Sequence, residues 1–561
     1  MRHFLLVAGC CIALLSTDPV VAQSKIDKSK MSFLVSCEQA ASHYFHVEFQ
    51  CAGIRKDSFD LKMPAWMPGY YQIMDYAKNL EGFSAEDQEG KSLKWIQVAK
   101  NSWRVYSKKT PFVKIIYNIK ANTQFVATSY IGEERGYIAP CGVFLYVEGM
   151  LKHPASVTIR PLASWNRVAT GLDSVKGTDH SFIAPDFDIL FDSPILMGNL
   201  EELPPFYVKG IPHRFIGYHL GDFNRKVFMD DLKKIVEAGI AVIGDIPYKH
   251  YTFLAIGAGR GGIEHLNSCT ISFEGAQMNN RESKVRTYSF IAHEYFHHFN
   301  VKRIRPIELG PFDYDKENRT RMLWVSEGLS VYYEYMVLSR AGLMNEEELF
   351  RAFQSNISAY ENKPGHLFQS LAESSYETWS DGPFGRTGDE VNKTISYYDK
   401  GPAVGLLLDF SIRNDTKNAR SLDDIMRFLY YEYYKKKKRG FTEDEFRRAC
   451  DSISGGDQAE IFEYVNTTKE PDYKKYLQYA GLDIDTMETP VPGAYLGANV
   501  RGRNDSLFIS SVDWNSPAWS AGMRPRDFVQ ELNGAKPDAG RWKEVMGKSQ
   551  RGDTLHLSWR D

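Results

Sequence analysis

The pentapeptide His293-Glu294-Tyr295-Phe296-His297 limits both the local structure and the chemistry of this chain. On an α-helix, side chains four residues apart lie on one face, so the two imidazoles can bind a single metal ion. The glutamate between them then stands beside the ion, where it can act on a bound water. The pattern is typical of zinc hydrolase sites, but such short motifs also occur by chance, so the surrounding sequence must support it.

Residues 283–299, which surround the motif, have the periodicity of a buried helix. Their apolar side chains recur at spacings of three and four residues, which predicts an α-helix. These side chains are Tyr288, Ile291, Ala292, Tyr295, Phe296 and Phe299. The alternative is a helix whose histidines only satisfy local hydrogen bonds.

A catalytic zinc ion needs three protein ligands and one open position for water. Glu327 lies near the start of residues 324–338, a largely apolar segment that is predicted to be helical. A carboxylate there is costly to bury unless it binds something positive, so Glu327 is the predicted third ligand. Glu317 is closer to the motif but lies in a polar stretch, and it is the second candidate. Glu334, on the same predicted helix as Glu327, is the third.

A three-histidine zinc site is excluded, because Asn300 and Arg303 stand where that class has its glycine and third histidine. Further along the chain, residues 396–401 contain Tyr397 and Tyr398. A tyrosine hydroxyl near the metal can donate to the oxyanion that forms on a peptide carbonyl. Most of the 32 tyrosines must be packing residues, so this pattern alone does not select one of them.

Several longer motifs resemble those of the glycyl aminopeptidase family of gluzincin metallopeptidases, distant relatives of aminopeptidase N and leukotriene hydrolase. In the N-terminal part these are Met63–Tyr71 and Phe191–Gly198; in the catalytic part they are His293–Pro306, Trp324–Gly328 and Tyr397–Gly401. The resemblance covers nearly the whole mature chain. It departs from the family at Phe299, where a tryptophan is usual, and the segment from His298 to Ser326 is longer than in aminopeptidase N.

The resemblance implies a role for each matching residue. His293, His297 and Glu327 would bind one Zn²⁺, and Glu294 would be the general base. Tyr398 would stabilise the oxyanion. Gly261-Gly262-Ile263-Glu264-His265 is similar to an edge-strand element whose glutamate binds the free α-amino group of the substrate, which implies substrate contacts from Gly261, Gly262 and Glu264.

The chain is predicted to be a multidomain α+β protein, because 561 residues exceed what one core usually serves. Alternating apolar and polar residues predict an N-terminal β domain over 31–205. Residues 206–340 are predicted to form a thermolysin-like zinc catalytic domain, and 341–487 a helical domain. Three helices in that domain are predicted to begin with capping pairs, namely Asn345 with Glu348, Ser421 with Asp424, and Thr442 with Glu445. The run Lys435–Arg439 is interpreted as a helix end before Gly440 and not as a patch for a polyanion.

The C-terminal residues 494–561, after a linker at 490–493, resemble a PDZ domain. The resemblance rests on Tyr495–Ala498 as the carboxylate-binding loop and on Ser516–Gly534 as the central signature. It implies that a peptide C-terminus binds beside Leu496, Gly497 and Ala498 by strand addition. The alternative is a structural cap whose groove is filled by its own chain.

The net charge and the N-terminal sequence indicate which partners and which cellular location to expect. The 68 basic and 71 acidic residues give a net charge of −3, which argues against a nucleic-acid partner. Residues 1–22 have a basic start, an apolar core and small residues before position 23, which predicts a secretory signal peptide and a periplasmic location. Val7–Cys10 resembles a lipid-attachment motif, which is the alternative. No transmembrane segment is predicted.

The combined expectation is a secreted zinc aminopeptidase that removes N-terminal residues from peptides, with a preference for glycine or alanine that only the resemblance implies. Two alternatives stay open. One is a zinc endopeptidase of the same fold, which would accept peptides with a blocked N-terminus. The other is a non-catalytic scaffold that binds peptides through the PDZ domain.

Overall fold

The computed structural model describes residues 30–386, 388–487, 494–503 and 506–560. The predicted signal peptide (1–22), its lipid-attachment alternative and the predicted linker at 490–493 lie outside the described residues. None of the helices in the described ranges is long and apolar enough to cross a membrane.

The N-terminal part, described without a gap from residue 30 to 205, is built from β-strands and one short helix. The strands are β1 (Lys30–Ser36), β2 (Tyr44–Ala52), β3 (Phe59–Lys62), β4 (Leu80–Glu86), β5 (Trp95–Ala99), β6 (Ser102–Val105), β7 (Phe112–Lys120), β8 (Asn122–Phe125), β9 (Thr128–Ile131), β10 (Arg135–Ile138), β11 (Tyr146–Val147), β12 (Ala155–Arg160), β13 (Arg167–Thr170), β14 (Asp173–Ser174), β15 (Ser181–Ala184), β16 (Ile195–Gly198) and β17 (Glu201–Glu202); the helix is α1 (Phe187–Phe191). The predicted N-terminal β domain is therefore present.

These strands form three sheets around one core. The orders are β14-β15-β12-β1-β2-β7-β4, β13-β16-β10-β9-β8 and β11-β3-β6-β5. In β7, alternate residues are buried from Val113 to Ile119 while the residues between them are only half-buried. That period of two places one face of the strand on the core, which is why the alternating sequence forms a sheet.

The central part combines one sheet with the helices of the metal motif. Its elements are β18 (Phe206–Val208), β19 (Ile211–Gly217), α2 (Arg225–Ile243), β20 (Tyr251–Ala255), β21 (Gly262–Glu264), β22 (Ser268–Ile271), α3 (Arg281–Phe296) and α4 (Leu329–Arg340). The sheet order is β17-β19-β20-β22-β21, with β18 also paired to β19. Strand β21 therefore lies at the edge, and it pairs with β22 from Gly262 to Glu264.

The helical part follows, with α5 (Glu346–Glu361), α6 (Leu371–Asp381), α7 (Tyr397–Asp415), α8 (Leu422–Phe428), α9 (Glu443–Ser454), α10 (Ala459–Asn466) and α11 (Tyr473–Gln478). The three predicted capping boxes are confirmed at Asn345, Ser421 and Thr442. The basic run ends differently from the prediction. A π-helix covers Leu429–Lys437, and Lys438 closes it in the left-handed conformation, two residues before Gly440.

The C-terminal unit contains β23 (Ala498–Arg503), β24 (Ser506–Val512), α12 (Pro517–Ser520), β25 (Phe528–Leu532), α13 (Ala539–Lys548) and β26 (Leu557–Arg560). The four strands pair in the order β23-β24-β25-β26. The unit contacts the helical part, since Asn392 Nδ2 donates to the carbonyl of Val512 at 2.7 Å and Phe368 packs on Trp514. Its likeness to a PDZ domain stays a prediction.

The described residues include five cysteines, Cys37, Cys51, Cys141, Cys269 and Cys450, and all five are buried and unpaired. Burial raises the pKa of the Cys37 thiol to about 12. They therefore act as small core residues, and none of them forms the single disulfide bond that an oxidising compartment would permit.

Candidate metal centre and active site

The motif helix α3 brings its two histidines together in the protein interior. His297 directly follows the last residue of α3 and keeps a helical conformation, so it stays on the same face as His293. Their Nε2 atoms lie 2.8 Å apart. Both side chains are buried, so the pair is shielded from bulk water as the apolar periodicity predicted.

The proton of His297 can be assigned from its surroundings. Its Nδ1 atom lies 2.7 Å from the carbonyl oxygen of Asn300. A carbonyl can only accept, so Nδ1 carries the proton and Nε2 presents a lone pair. On His293, Nδ1 lies 3.0 Å from Glu334 Oε2, close but too poorly aligned for a hydrogen bond. Glu334, the third candidate ligand, thus lies behind the histidine, away from the Nε2 atoms.

Glu327 meets these two nitrogens from a different kind of helix. The segment predicted as one apolar helix begins with a π-helical turn, Trp324–Gly328, before α4 continues from Leu329. Glu327 Oε2 lies 3.2 Å from His297 Nε2 and 3.6 Å from His293 Nε2. Single π turns are frequent at functional sites because they shift a side chain out of the regular register.

Asn300 holds the π turn in place. Its Nδ2 atom lies 2.7 and 3.0 Å from the carbonyl oxygens of Val325 and Ser326 and 3.0 Å from Ser330 Oγ. Its own carbonyl accepts from His297. The residue that breaks the three-histidine pattern therefore ties His297 to the turn that carries Glu327.

The donor set fits a metal cation. Among the described residues, His293, His297 and Glu327 are the group whose ligand atoms all lie within 4.8 Å of one another. Two imidazole lone pairs and a buried carboxylate converge on one point, an arrangement that is repulsive until a cation joins them. Burial acts to raise the pKa of Glu327, but the two histidines hold it well below its usual range. Two nitrogens and one carboxylate oxygen match a catalytic zinc site.

Glu294 lies beside this group on α3. It is buried, and its Oε2 atom has no hydrogen-bond partner among the described residues. Burial raises the pKa of Glu294 to about 8, although His293 and His297 act in the opposite direction. The backbone of Gly262 on edge strand β21 lies directly against its carboxylate, where a Cβ atom would overlap. Glycine at position 262 thus lets the edge strand approach the base.

Two tyrosines hold the predicted ligand Glu327 from opposite parts of the chain. Tyr398, at the start of α7, donates to Oε2 at 3.0 Å, and Tyr71, from the β domain, donates to Oε1 at 3.0 Å. The start of α7 comes this close because Gly328 and Gly401 meet, so that a Cβ on either would lie 2.6 Å from the Cα of the other. Neighbouring Tyr397 points elsewhere, to Thr378 Oγ1 at 3.0 Å.

Glu264, at the end of edge strand β21, is 3% exposed. Its Oε1 atom lies 3.4 Å from Lys302 Nζ but has no hydrogen-bond partner. Gly69 packs against the same carboxylate, and a Cβ there would come within 2.8 Å of Oε2. Gly261, at the start of the strand, has a left-handed φ of +91° and faces Val126. Lys302 therefore lies on the Oε1 side of the carboxylate, and Oε2, on the side of Gly69, accepts no hydrogen bond from the described residues.

Lys302 belongs to a buried network behind Glu264. Its Nζ lies 2.9 Å from Asp192 Oδ1, and His265 Nδ1 lies 3.2 Å from the same oxygen. Burial acts to raise the pKa of Asp192, but Lys302 and His265 lower it to about 2. His265 therefore serves this network, and Lys302 is shared between two carboxylates.

Sequence reasoning did not identify Tyr71, Lys302 or Gly69 as part of the site. Tyr71 and Lys302 lie inside motifs that carried the family resemblance, but Tyr71 is 256 positions from Glu327 and Lys302 is 110 positions from Asp192. Glu317, the second candidate ligand, pairs with Arg319 at 2.6 Å in the loop before the π turn and is absent from the converging group.

Family profiles match two segments of the chain. The Peptidase M61 N-terminal domain matches residues 32–199, and the M61 glycyl aminopeptidase matches residues 286–404, so that together they cover just over half of the chain. The chain belongs to the M61 glycyl aminopeptidase family. Membership identifies it as a zinc-dependent metallopeptidase with Zn²⁺ as its cofactor, which the His-His-Glu group could bind.

Solved structures resemble this M61 member over most of its length. An aminopeptidase N family protein from Idiomarina loihiensis is 25% identical, with a TM-score of 0.86 and 94% of each chain covered. A mutant M1 zinc metallopeptidase from Deinococcus radiodurans, bound to the substrate Tyr-Ser-Ala, is 13% identical, with a TM-score of 0.50 over 79% of this chain and 94% of that one. The second likeness concerns the fold alone.

Curated relatives match only a part of the M61 chain. Probable CtpA-like serine proteases of Staphylococcus aureus are 28% identical over 142 residues. The match spans a quarter of this chain and a quarter of their own length.

Proposed function

We propose that this M61 member is an aminopeptidase that removes single residues from the free N-terminus of peptides. The observation that carries the proposal is Glu264, a buried carboxylate at the end of an edge strand. Its Oε1 atom faces Lys302, and its Oε2 atom accepts no hydrogen bond from the residues that the structure describes. A substrate ammonium would supply the missing partner as a charge-assisted hydrogen bond. Burial is the main cause of the raised pKa of Glu294, and Glu264 adds to it, so the two carboxylates lie near each other.

The edge strand supports a defined path for the substrate. A peptide that extends β21 would place its N-terminus at Glu264 and run past Gly262. The scissile bond then lies beside Glu294, because a Cβ on Gly262 would overlap that carboxylate. Gly261 and Gly262 leave room for the peptide backbone, which is the role proposed for both glycines.

The chemical roles follow from this path. When bound to His293, His297 and Glu327, Zn²⁺ supplies a Lewis acid that activates water and polarises the substrate carbonyl. Glu294 takes a proton from the attacking water and delivers it to the leaving amine. The Tyr398 hydroxyl leaves Glu327 and donates a hydrogen bond to the oxyanion that forms on the substrate carbonyl. The two histidines, Glu294 and Glu327 are buried and Tyr398 is half-buried, which limits the access of competing water.

Three finer features of the function are also proposals. A preference for N-terminal glycine is supported by the family description alone, and its extension to alanine rests on the sequence resemblance. Secretion to the periplasm is supported by the sequence of residues 1–22. The substrate is a peptide and not a nucleic acid, since the chain has a net charge of −3 and lacks the basic excess that nucleic-acid binding favours.

The C-terminal unit is proposed to bind a peptide C-terminus as a PDZ domain does. Strand β23 is an edge strand, and within the described residues its second edge has no partner strand. The carbonyls of Leu496 and Gly497 are occupied by Ala518 and Asp513. Their N–H groups and that of Ala498 would face the carboxylate, and α13 lies beside the strand.

A specific observation favours a second candidate, an endopeptidase of the same fold. Lys302 lies 3.4 Å from Glu264, so the anchor carboxylate already has a buried cation nearby. If that pair satisfies Glu264, a blocked N-terminus would cost little. The non-catalytic scaffold has no such support, because the predicted ligands, base and tyrosine all converge.

The test compares a free peptide with its N-acetylated form. We expect wild-type enzyme to cleave Gly- or Ala-initiated peptides with a kcat/KM at least about 30-fold above that of the acetylated peptides, since an unpaired buried charge costs about 2 kcal/mol or more. Glu264→Gln should lose the preference for the free peptide. Glu274 is an exposed glutamate on the loop after β22, so Glu274→Gln should keep that preference. Similar rates for both peptides would favour the endopeptidase and reject the proposal.

A further inference from the structure

A cavity of about 420 Å³ lies where the β domain meets the loop after α3. Charged residues of both signs line it, namely Lys152, Lys302, Arg305, Lys438 and Arg439 together with Asp186, Asp188 and Asp192. With five basic and three acidic residues, the lining has an excess of positive charge, and the carboxylates cannot neutralise every cation.

The three aspartates are already engaged. Asp192 accepts from Lys302 and from the backbone N–H of Leu266. Asp188 pairs with Lys152 and accepts from a tyrosine hydroxyl, while Asp186 caps the start of α1. Asp188 and Asp192 act on Arg305 electrostatically, but neither forms an ion pair or a hydrogen bond with it in the described structure.

Arg439 also has its own partner, since both of its terminal nitrogens donate to Glu445 at 2.7 and 2.8 Å. Arg305 differs. Its guanidinium forms no hydrogen bond and no ion pair with any residue that the structure describes, although it is half-buried. Packing holds the guanidinium of Arg305 in place. Its Cζ atom lies 5.5 Å from the centre of the Phe312 ring, and Gly310 lies so close that a Cβ there would overlap the guanidinium.

Lys438 is the second cation without a partner. It is exposed, has a left-handed φ of +55° at the end of the π-helix, and makes no ion pair within the described ranges. Its Nζ lies 6.0 Å from the ring of Tyr434, which also lines the cavity. Two unpaired cations from distant parts of the sequence thus line one partly open cavity.

We propose that this cavity binds a small oxyanion through Arg305 and Lys438. A guanidinium presents a planar fork of N–H donors that matches a carboxylate or a phosphate, and an ammonium adds a point charge. The shared ligand chemistry is that of two or three oxygens carrying one or two negative charges. This site lies outside the metal group and does not depend on the proposed function.

The test is calorimetric titration of the zinc-loaded, full-length enzyme with inorganic phosphate and, in a second arm, with acetate, at constant ionic strength. We expect saturable binding of one anion per chain, weakened about tenfold or more in Arg305→Gln. Lys438→Gln should weaken it as well, and the exposed Arg420→Gln should not. Tighter binding of phosphate would assign a phosphate ligand, and tighter binding of acetate a carboxylate.

Two outcomes would overturn the oxyanion site. One is the absence of saturable binding of either anion. The other is binding that persists unchanged in both Arg305→Gln and Lys438→Gln, which would belong to the metal centre or to another surface. If Arg305→Gln does not fold, Lys438→Gln decides, because that side chain is exposed and its replacement leaves no buried gap.

Tyr71 contacts the predicted metal ligand Glu327. Its hydroxyl donates to Glu327 Oε1 at 3.0 Å, and its side chain is only 7% exposed. It reaches the centre from the β domain and packs edge-on against Trp379 of the helical part at 6.2 Å. Since Tyr398 must leave Glu327 to serve the substrate, Tyr71 is the hydroxyl that remains on that carboxylate.

We infer that Tyr71 is a positioning residue that fixes Glu327 for the metal. Partners that orient a ligand typically contribute 10- to 100-fold in metal affinity. Tyr71→Phe should therefore raise the dissociation constant for Zn²⁺ by roughly that factor in a chelator competition. Tyr70→Phe is the matched control, because Tyr70 packs on Phe125 and is not hydrogen-bonded through its hydroxyl in the described structure.

This second inference rests on Glu327 as a metal ligand, and the two can fail separately. Zinc retained at full stoichiometry in Glu327→Ala would reject the ligand assignment itself. Zinc lost in Glu327→Ala but bound with unchanged affinity in Tyr71→Phe would reject only the positioning role. A purely structural role for Tyr71 would lower the melting temperature and leave the zinc affinity unaltered.

Discussion

Glu294→Gln should retain stoichiometric zinc and lose roughly two or more decades of kcat. Glutamine has almost the same shape as glutamate but cannot take a proton from the attacking water. The carboxylate is well placed for that transfer, being buried with one oxygen unsatisfied and with a raised pKa. Metal content by atomic absorption and single-turnover rates on a free peptide measure the two quantities independently.

A control on the same helix separates the loss of a base from a general effect of removing charge. Glu282 lies in the first turn of α3 and is exposed, so Glu282→Gln should keep both metal and activity. Wild-type turnover in Glu294→Gln would assign the base elsewhere. Loss of zinc in the same variant would mean that the side chain supports the metal and not the proton transfer.

Tyr398→Phe should lower kcat by about 10² to 10³ with little change in KM. The reason is that the hydroxyl donates to an oxyanion present only in the transition state, whereas in the free enzyme it rests on Glu327 at 3.0 Å. The expected split between kcat and KM distinguishes this role from substrate binding. Steady-state kinetics on one free peptide, with zinc content held at one per chain, provide the measurement.

Tyr397→Phe is the matched control for that experiment. Its hydroxyl bonds Thr378 and not the metal group, so its loss should cost stability and spare catalysis. If Tyr397→Phe were the crippled variant and Tyr398→Phe behaved normally, the role would belong to the neighbouring residue.

Some parts of this protein could be predicted from local sequence because local physics determines them. The helix around the motif follows from apolar side chains at spacings of three and four residues, and the structure confirms it as α3. The three capping boxes follow from side chains that satisfy backbone N–H groups within the same turn. Membership in the M61 family, read from longer motifs, is confirmed as well.

The π turn at Trp324–Gly328 was not predicted, because its stability comes from a residue outside it. The apolar pattern of that segment fits an ordinary helix, and the extra backbone carbonyls that the turn frees are satisfied by Asn300. A side chain about 25 positions away thus decides where Glu327 points. No periodicity within the segment could have indicated this.

The sequence alone determined the features that depend on neighbouring residues, and the tertiary structure decided those that depend on residues far apart in the chain. Residue types and their spacing on one helix determined the two histidines, the glutamate between them and the class of metal they suit. The tertiary structure decided which tyrosines reach Glu327, since Tyr71 and Tyr398 come from the β domain and from α7. It also placed Lys302 between the carboxylates of Glu264 and Asp192. In the same way it brought Arg305 and Lys438 to one cavity, where neither has an ion-pair partner among the described residues. Contacts between elements far apart in the chain depend on how the domains pack, and local patterns carry no record of that packing.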